Sequence, residues 1–381
     1  NSAALRLAGL TDASVDPPGG KLLRNADGTL SGILLENAMA LVDRVIPPLK
    51  DIHLQELLKQ AQTHLLSMGI TSVHDFDGLD CLEALQSLEA NGELRMRVCK
   101  NFPGTQIEKV AQLGLKSGTG SEHLRLGWLK LFADGALGPQ TAAMLTPYEG
   151  STSQGILLMD ADSVYEQGVL AAALGLPLAI HAIGDAAVRA VLDGFERLRD
   201  YESAQHLPHL PHRIEHAQLV SPEDLPRFQA LNIIASVQPI HATSDMEMAE
   251  KYWGLRCANA YAYASLQKQG AVLIAGSDAP VESANPFWGL HAAVTRQRPN
   301  GVPGPDGWHP EQRLSLSDAL AAYTLNPARA CGLGNSYGKI APGNPADLIV
   351  LPRDPFSINP SELWQIQPDM TLIDGQIVFQ R

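Results

Sequence analysis

From residue 53 onward the chain alternates between short unbroken apolar runs and longer stretches in which apolar residues recur every three or four positions. The unbroken runs predict buried parallel strands at Gly69–Asp75, Leu94–Lys100, Leu124–Phe132, Leu178–His181, His212–Ala217, Ile233–Gln238 and Ala271–Asp278. Helical periodicity between them predicts Leu54–Ser67, Cys81–Ala90, Ile107–Leu113, Val164–Leu174, Ala187–Leu198, Ser221–Leu231 and Ala258–Gln269, with Phe287–Arg296 and Leu316–Tyr323 after the last strand. Two start signals stand out: Asp185 as N-cap of the helix after the Leu178 strand, and Ser221 with Asp224 as a capping box. Strand and helix alternating in this way indicate an α/β fold, either a (β/α)8 barrel or an open doubly wound sheet. No glycine-rich phosphate loop opens any unit, which counts against a nucleotide-binding sheet. Seven strands are one short of a closed barrel.

The two ends depart from this rhythm. Residues 1–50 are punctuated by Gly and Pro, with turn signals at Asp16–Gly20 and Asn25–Gly28 and a hairpin excursion ending in the strand Gly32–Glu36. Asn1–Ala8 has helical character. An irregular stretch, Ala133–Leu158, is too long for a simple connection and predicts a lid over the strand ends. After residue 335 the helices stop, and Gly338–Ile340, Asp347–Leu351 and Met370–Phe379 predict short strands between turns. The expected organisation is a barrel domain over 1–335, with an insertion near 1–50 and a lid near 133–158, followed by a small β-module over 336–381.

Charge and cysteine usage narrow the partners. A net charge of −13 without a basic cluster speaks against nucleic acid. No apolar run reaches membrane-spanning length. The four scattered cysteines form neither a zinc-type pair nor a disulfide framework, which suits a reducing, cytoplasmic setting. A small-molecule substrate is the expected partner, and a homo-oligomer is compatible with the composition.

In parallel α/β folds ligands gather at the carboxyl ends of the strands, and polar residues interrupt the apolar pattern there. Lys130, His181, His216 and Asp278 end four of these strands, with His181 and His216 about one βα unit apart. Two imidazoles and a carboxylate at one mouth suit a divalent metal such as zinc, which lowers the pKa of bound water. Asp278 could then carry the proton. Gln238 and His241 also fall at a strand end and are candidate substrate contacts, whereas His74 reads as support for the ligands.

Together, His181-Ala-Ile-Gly-Asp185, His212-Arg-Ile-Glu-His216, Gly276-Ser-Asp-Ala-Pro280 and Thr324-Leu-Asn-Pro-Ala328 resemble the amidohydrolase superfamily, and within it the family 3 branch that includes N-substituted formamide deformylases. Gly343–Leu351 and Ile373–Val378 resemble its C-terminal strands, which return to a β-sandwich beside a TIM barrel. The resemblance implies that His181, His216 and Asp278 are metal ligands and that Lys130 is the residue binuclear members carboxylate to bridge two ions; one-metal members lack that bridge. Asp134, in the Lys130 motif, joins Gln238 and His241 as an expected substrate contact. The implied activity is metal-dependent hydrolysis of a non-peptide C–N bond in an amide, formamide or cyclic amide, with His216 or His241 polarising the carbonyl and Asp278 shuttling the proton.

One departure is large: the superfamily's first strand carries a His-x-His pair, and this sequence contains none. The expectation is a chain truncated at its N-terminus, lacking the first barrel strand, with the sheet gap near Asn1–Leu10. This keeps two rival readings in view, a non-catalytic binding or regulatory protein on a degenerate barrel and a one-metal deaminase.

Overall fold

The structure is a computed structural model, and it describes residues 1–47 and 51–381; residues 48–50, the end of the expected insertion, lie outside the described residues. An N-terminal antiparallel hairpin pairs β1 (Gly20–Arg24) with β2 (Leu30–Glu36). Seven parallel strands follow in strict sequence order: β3 (Ser72–Asp75), β4 (Arg97–Pro103), β5 (Leu124–Phe132), β6 (Leu178–Ala182), β7 (Arg213–His216), β8 (Ile234–Val237) and β9 (Leu273–Ala275). A three-stranded antiparallel sheet, β10 (Leu348–Val350), β11 (Met370–Ile373) and β12 (Gln376–Gln380), closes the chain. Helices link the parallel strands, so the seven-stranded sheet curls as part of a barrel. β4, β6, β7 and β8 are buried on both faces, which is why unbroken apolar runs mark them, whereas the edge strand β3 is only partly buried.

Alternation along the strands separates two cores. Val98, Leu129, Ile180, Ile214, Ala235 and Leu273 pack outward into the layer shared with the helices, where Val188, Val191, Leu192 and Phe195 are fully enclosed. Cys99, Trp128, Ala179, Ile234 and Ile274 form a second, smaller cluster on the inner face, closed by Ala330. Each fully buried Leu, Ile or Val contributes roughly 1.5–3 kcal/mol relative to exposure. Polar and charged side chains, including Arg213 and Glu215, also occupy the sheet interior, and these are the ones that build the site.

The sheet does not close. β3 and β9 are its edges, and among the described residues they do not pair with each other. The gap is the one expected, and Asn1–Leu10 pairs with neither edge: Asn1 caps the helix Ser2–Leu7, and the segment's backbone bonds stay within itself. Three local expectations change. Gly184, not Asp185, is the N-cap of helix Asp185–Ala204, and the Asp185 carboxylate instead accepts from Leu145 N at 2.8 Å. The helix expected from Ser221 begins at Leu225, and Asp224 spends its carboxylate on Arg189 and Arg227 rather than on a cap. Gly338–Ile340 forms no strand.

The terminal sheet is tied to the curled one by charge. The Arg97 guanidinium at the start of β4 reaches Asp347 at 2.6 Å and Asp374 at 2.5 Å, and Thr371 donates to Leu66 O at 2.8 Å. Among the described residues no helix is long and apolar enough to cross a membrane.

Candidate metal centre

The ends of β5 to β9 converge, and the residues there depart from ordinary strand geometry. His216 (φ 74°), Ala217 (φ 44°) and Asp278 (φ 58°) all adopt left-handed backbone, which costs a non-glycine residue about 1–3 kcal/mol unless the surroundings impose it. The turn swings the His216 and Asp278 side chains toward one point. Pro239 opens the short helix Pro239–Ser244 directly after β8, where its missing N–H costs nothing, and that helix carries His241 to the same point.

Ligand-type atoms of His216, His241 and Asp278 lie within 4.8 Å of one another. His241 Nε2 is buried without a hydrogen-bond partner and stands 3.9 Å from Asp278 Oδ2. A buried ring nitrogen left unpaired costs free energy that a bound cation recovers, so these three residues fit a divalent ion. The His181 ring packs edge-on against His216, with centroids 4.6 Å apart, placing it beside the trio.

Hydrogen bonds fix which nitrogen each histidine presents. His216 Nδ1–H donates to Gln238 Oε1 at 2.8 Å, leaving Nε2 as the lone pair. His181 Nε2–H donates to Gly135 O at 2.8 Å, leaving Nδ1. Fixing the tautomer through an outer acceptor is how metal-binding imidazoles are oriented. All three rings are neutral near pH 7, as ligands must be. Burial, and then the charge of Lys130, pushes His181 down to about 3; burial pushes His241 down to about 4; burial and the neighbouring His181 hold His216 well below its usual value.

Lys130 stands between two aromatic rings, its ammonium 4.8 Å from the Phe132 ring centre and 5.2 Å from that of Phe76. Burial lowers its pKa to about 8, with Glu215 opposing, so a useful fraction is the neutral amine that carboxylation requires. Among the described residues no hydrogen bond joins it to the histidines. Asp278 is partly exposed, and burial raises its carboxyl above the ordinary value against the pull of Lys130.

The residues expected to touch substrate take other places. Gln238 is occupied in orienting His216, and His241 stands among the ligand atoms themselves. Asp134 is fully enclosed, accepting backbone N–H bonds from Ala143 (2.8 Å), Ile183 (3.0 Å) and Gly184 (2.8 Å), with His181 Nε2 3.5 Å away. It therefore laces the irregular segment to the end of β6. That close approach explains Gly184: a Cβ there would sit 1.9 Å from Ala143 O. The segment Ala133–Leu158 runs over the strand ends as expected, and it is firmly attached. Tyr148 is buried and donates to Ala142 O at 2.7 Å, while Arg256 donates to Thr146 O at 2.7 Å and Pro147 O at 2.8 Å.

Beneath the site runs a polar column that sequence reasoning missed. Arg213 forms an ion pair with Glu215 at 2.6 Å, donates to His74 Nδ1 at 2.8 Å, and lies over the Trp128 ring at 4.2 Å. The signal was present in His212-Arg-Ile-Glu-His216: two opposite charges one strand period apart in a run that is otherwise buried require each other or a partner.

Known proteins agree with this architecture. The chain is 34% identical over 366 residues to Protein LONG AFTER FAR-RED 3 of Arabidopsis thaliana, covering 92% of this chain and 62% of that protein. It is 28% identical over 404 residues to the N-substituted formamide deformylase of Arthrobacter pascens, covering all of this chain and 71% of the relative. The crystal structure of an uncharacterized metal-dependent hydrolase from Pyrococcus horikoshii OT3 superposes with a TM-score of 0.78 at 32% identity, over 94% of this chain and 70% of that one. This chain thus spans about three fifths to seven tenths of these relatives' lengths. The family model described as the amidohydrolase family matches residues 1–379, and the chain belongs to that family.

Proposed function

We propose that this chain carries the metal-binding and proton-transfer residues of a hydrolase that cleaves C–N bonds other than peptide bonds, with zinc as the ion. The observation that carries this reading is the buried, unpartnered Nε2 of His241 facing Asp278 beside a neutral His216. His216, His241 and Asp278 would hold the ion, with His181 beside them and Lys130 as the residue for a second one. A divalent ion there polarises a carbonyl and makes water a stronger acid.

The protein's own groups complete the chemistry. Gln238 and Gly135 O keep the two strand-end imidazoles turned so that each offers one lone pair. Asp278, open to the mouth with a raised pKa, takes a proton from water and returns it to the leaving nitrogen. Phe132 and Phe76, both exposed, provide an apolar wall beside Lys130 and His181. That wall favours an amide bearing an apolar substituent, and N-substituted formamides, named for the Arthrobacter relative, are the substrate class we assign. The four cysteines are free, consistent with work in the cytoplasm.

The test is release of benzylamine from N-benzylformamide, and of benzyl alcohol from benzyl formate, by the purified chain, with added zinc and after chelation. Amide cleavage that requires zinc and is lost in Asp278→Asn supports the proposal. Zinc binding with no cleavage of any amide would favour a non-catalytic protein on this scaffold.

A further inference from the structure

On the inner face of the sheet, next to the polar column, three side chains meet that the hydrolytic reading does not use. They are His74 on β3, Cys99 on β4, and Cys331 just after the helix Leu325–Ala330; their ligand-type atoms lie within 4.8 Å of one another. A cysteine–histidine trio invites a metal, but the donors rule this out. A guanidinium can only donate, so Arg213 Nη1, 2.8 Å from His74 Nδ1, makes that nitrogen the acceptor. The ring proton is then on Nε2, which points at Cys331 Sγ from 3.1 Å. No imidazole lone pair is left for an ion. The arrangement instead supplies Cys331 with an N–H donor, held in place by Arg213 and by stacking on Trp128 at 5.6 Å. The Cys99 sulfur lies in the same cluster, and the His74 N–H together with the nearby Arg213 charge favours the thiolate at Cys331.

We propose that Cys331 and Cys99 form a peroxide-sensitive thiol pair, with Cys331 as the attacking sulfur, Cys99 as the resolving one and His74 as a positioning residue. In the first step the Cys331 thiolate attacks one oxygen of hydrogen peroxide. The O–O bond breaks, the sulfur is oxidised to the sulfenic acid, and the peroxide's other oxygen leaves as hydroxide, which takes the Cys99 proton and becomes water. In the second step the Cys99 thiolate attacks the sulfenic sulfur, forming the S–S bond and expelling hydroxide, which a solvent proton converts to the second water. Two thiols are oxidised and one hydrogen peroxide is reduced.

The geometry permits the bond. From within 4.8 Å the sulfurs must approach by at most about 2.8 Å to reach disulfide length. Cys331 is only partly buried and stands at a helix end followed by Gly332 at φ 73°, where the chain turns away and can yield. Cys81 and Cys257 are buried with thiols pushed up to about 12 by burial, which keeps them unreactive. The product would staple β4 to the segment that closes the sheet's inner core.

The test treats the reduced chain with one equivalent of hydrogen peroxide, alkylates the remaining thiols and maps peptides by mass spectrometry. The expected result is a Cys99–Cys331 cross-link reversed by dithiothreitol, with Cys81 and Cys257 alkylated. In Cys99→Ser a dimedone adduct should accumulate on Cys331. In His74→Gln, with unchanged circular dichroism, the rate should fall about tenfold at pH 7 and its pH midpoint should rise. A cross-link involving Cys81 or Cys257, no cross-link in the folded wild-type chain, or peroxide consumption unchanged in Cys331→Ser would each overturn the proposal.

Discussion

Replacing Asp134 by alanine tests whether the loop over the strand ends is held as described. The carboxylate is the sole acceptor shown for the amides of Ala143, Ile183 and Gly184, and the side chain is fully enclosed. Removing it strands three buried donors, each costing about 1–3 kcal/mol when left unpaired. Water entering the vacated space recovers part of this, so the expected destabilisation is roughly 3–6 kcal/mol, a large share of a typical total of about 5–15. Asp134→Asn keeps one acceptor oxygen and should lose less. The assay is urea unfolding followed by tryptophan fluorescence, with hydrogen exchange read at Ala143, Ile183 and Gly184. The alanine variant should open at all three amides, well before the strands beneath them. A loss below about 0.5 kcal/mol, the range of ordinary surface substitutions, with these amides still protected would refute the reasoning.

Three further outcomes follow from other contacts. Arg97→Met leaves Asp347 and the half-exposed Asp374 without their cation; we expect a loss of about 3 kcal/mol and early proteolysis or exchange in β10–β12, whereas unchanged protection there would show the tie is dispensable. Stability should decline as pH falls from about 6.5. Burial depresses the pKa of His212, so the unfolded chain binds its proton first; for Glu202, burial raises the value, but the His212 bond and Arg199 more than offset it, and its contribution is lost below about 4.5. Chemical denaturation across pH checks this, and in Glu202→Gln the loss below pH 4.5 should be smaller. Finally, Gln238→Leu removes the acceptor that orients His216 and should weaken zinc binding by about 10–100-fold in a competition titration, with little change in fold.

How much of this was readable beforehand depends on whether the cause was local. β5 was legible to the residue because Leu124–Leu129 is mostly buried and the apolar run continues to Phe132, where the irregular stretch begins. The gathering of His181, His216 and Asp278 followed from their places at strand ends, since parallel strands bring those ends together whatever the loops do. His241 was legible as a strand-end residue, but its place among the ligand atoms depends on Pro239 starting a helix at once, a signal that outweighs strand propensity. Asp185 carried good N-cap chemistry, yet Leu145 claimed its side chain from a loop 40 positions away. The ties of Arg97 to Asp347 and Asp374 and of His74 to Cys331 cross some 250 residues or more, and no local pattern encodes them.

The central claim is that His216, His241 and Asp278 form one metal centre. It is tested most directly by calorimetric zinc titration at pH 7 of the wild-type chain beside His241→Ala, the change that removes the unpartnered nitrogen. The account predicts one tight site in the wild type, weakened by more than about 100-fold in the variant. Equal affinity in the two proteins, or no zinc bound by the folded wild-type chain, would contradict it.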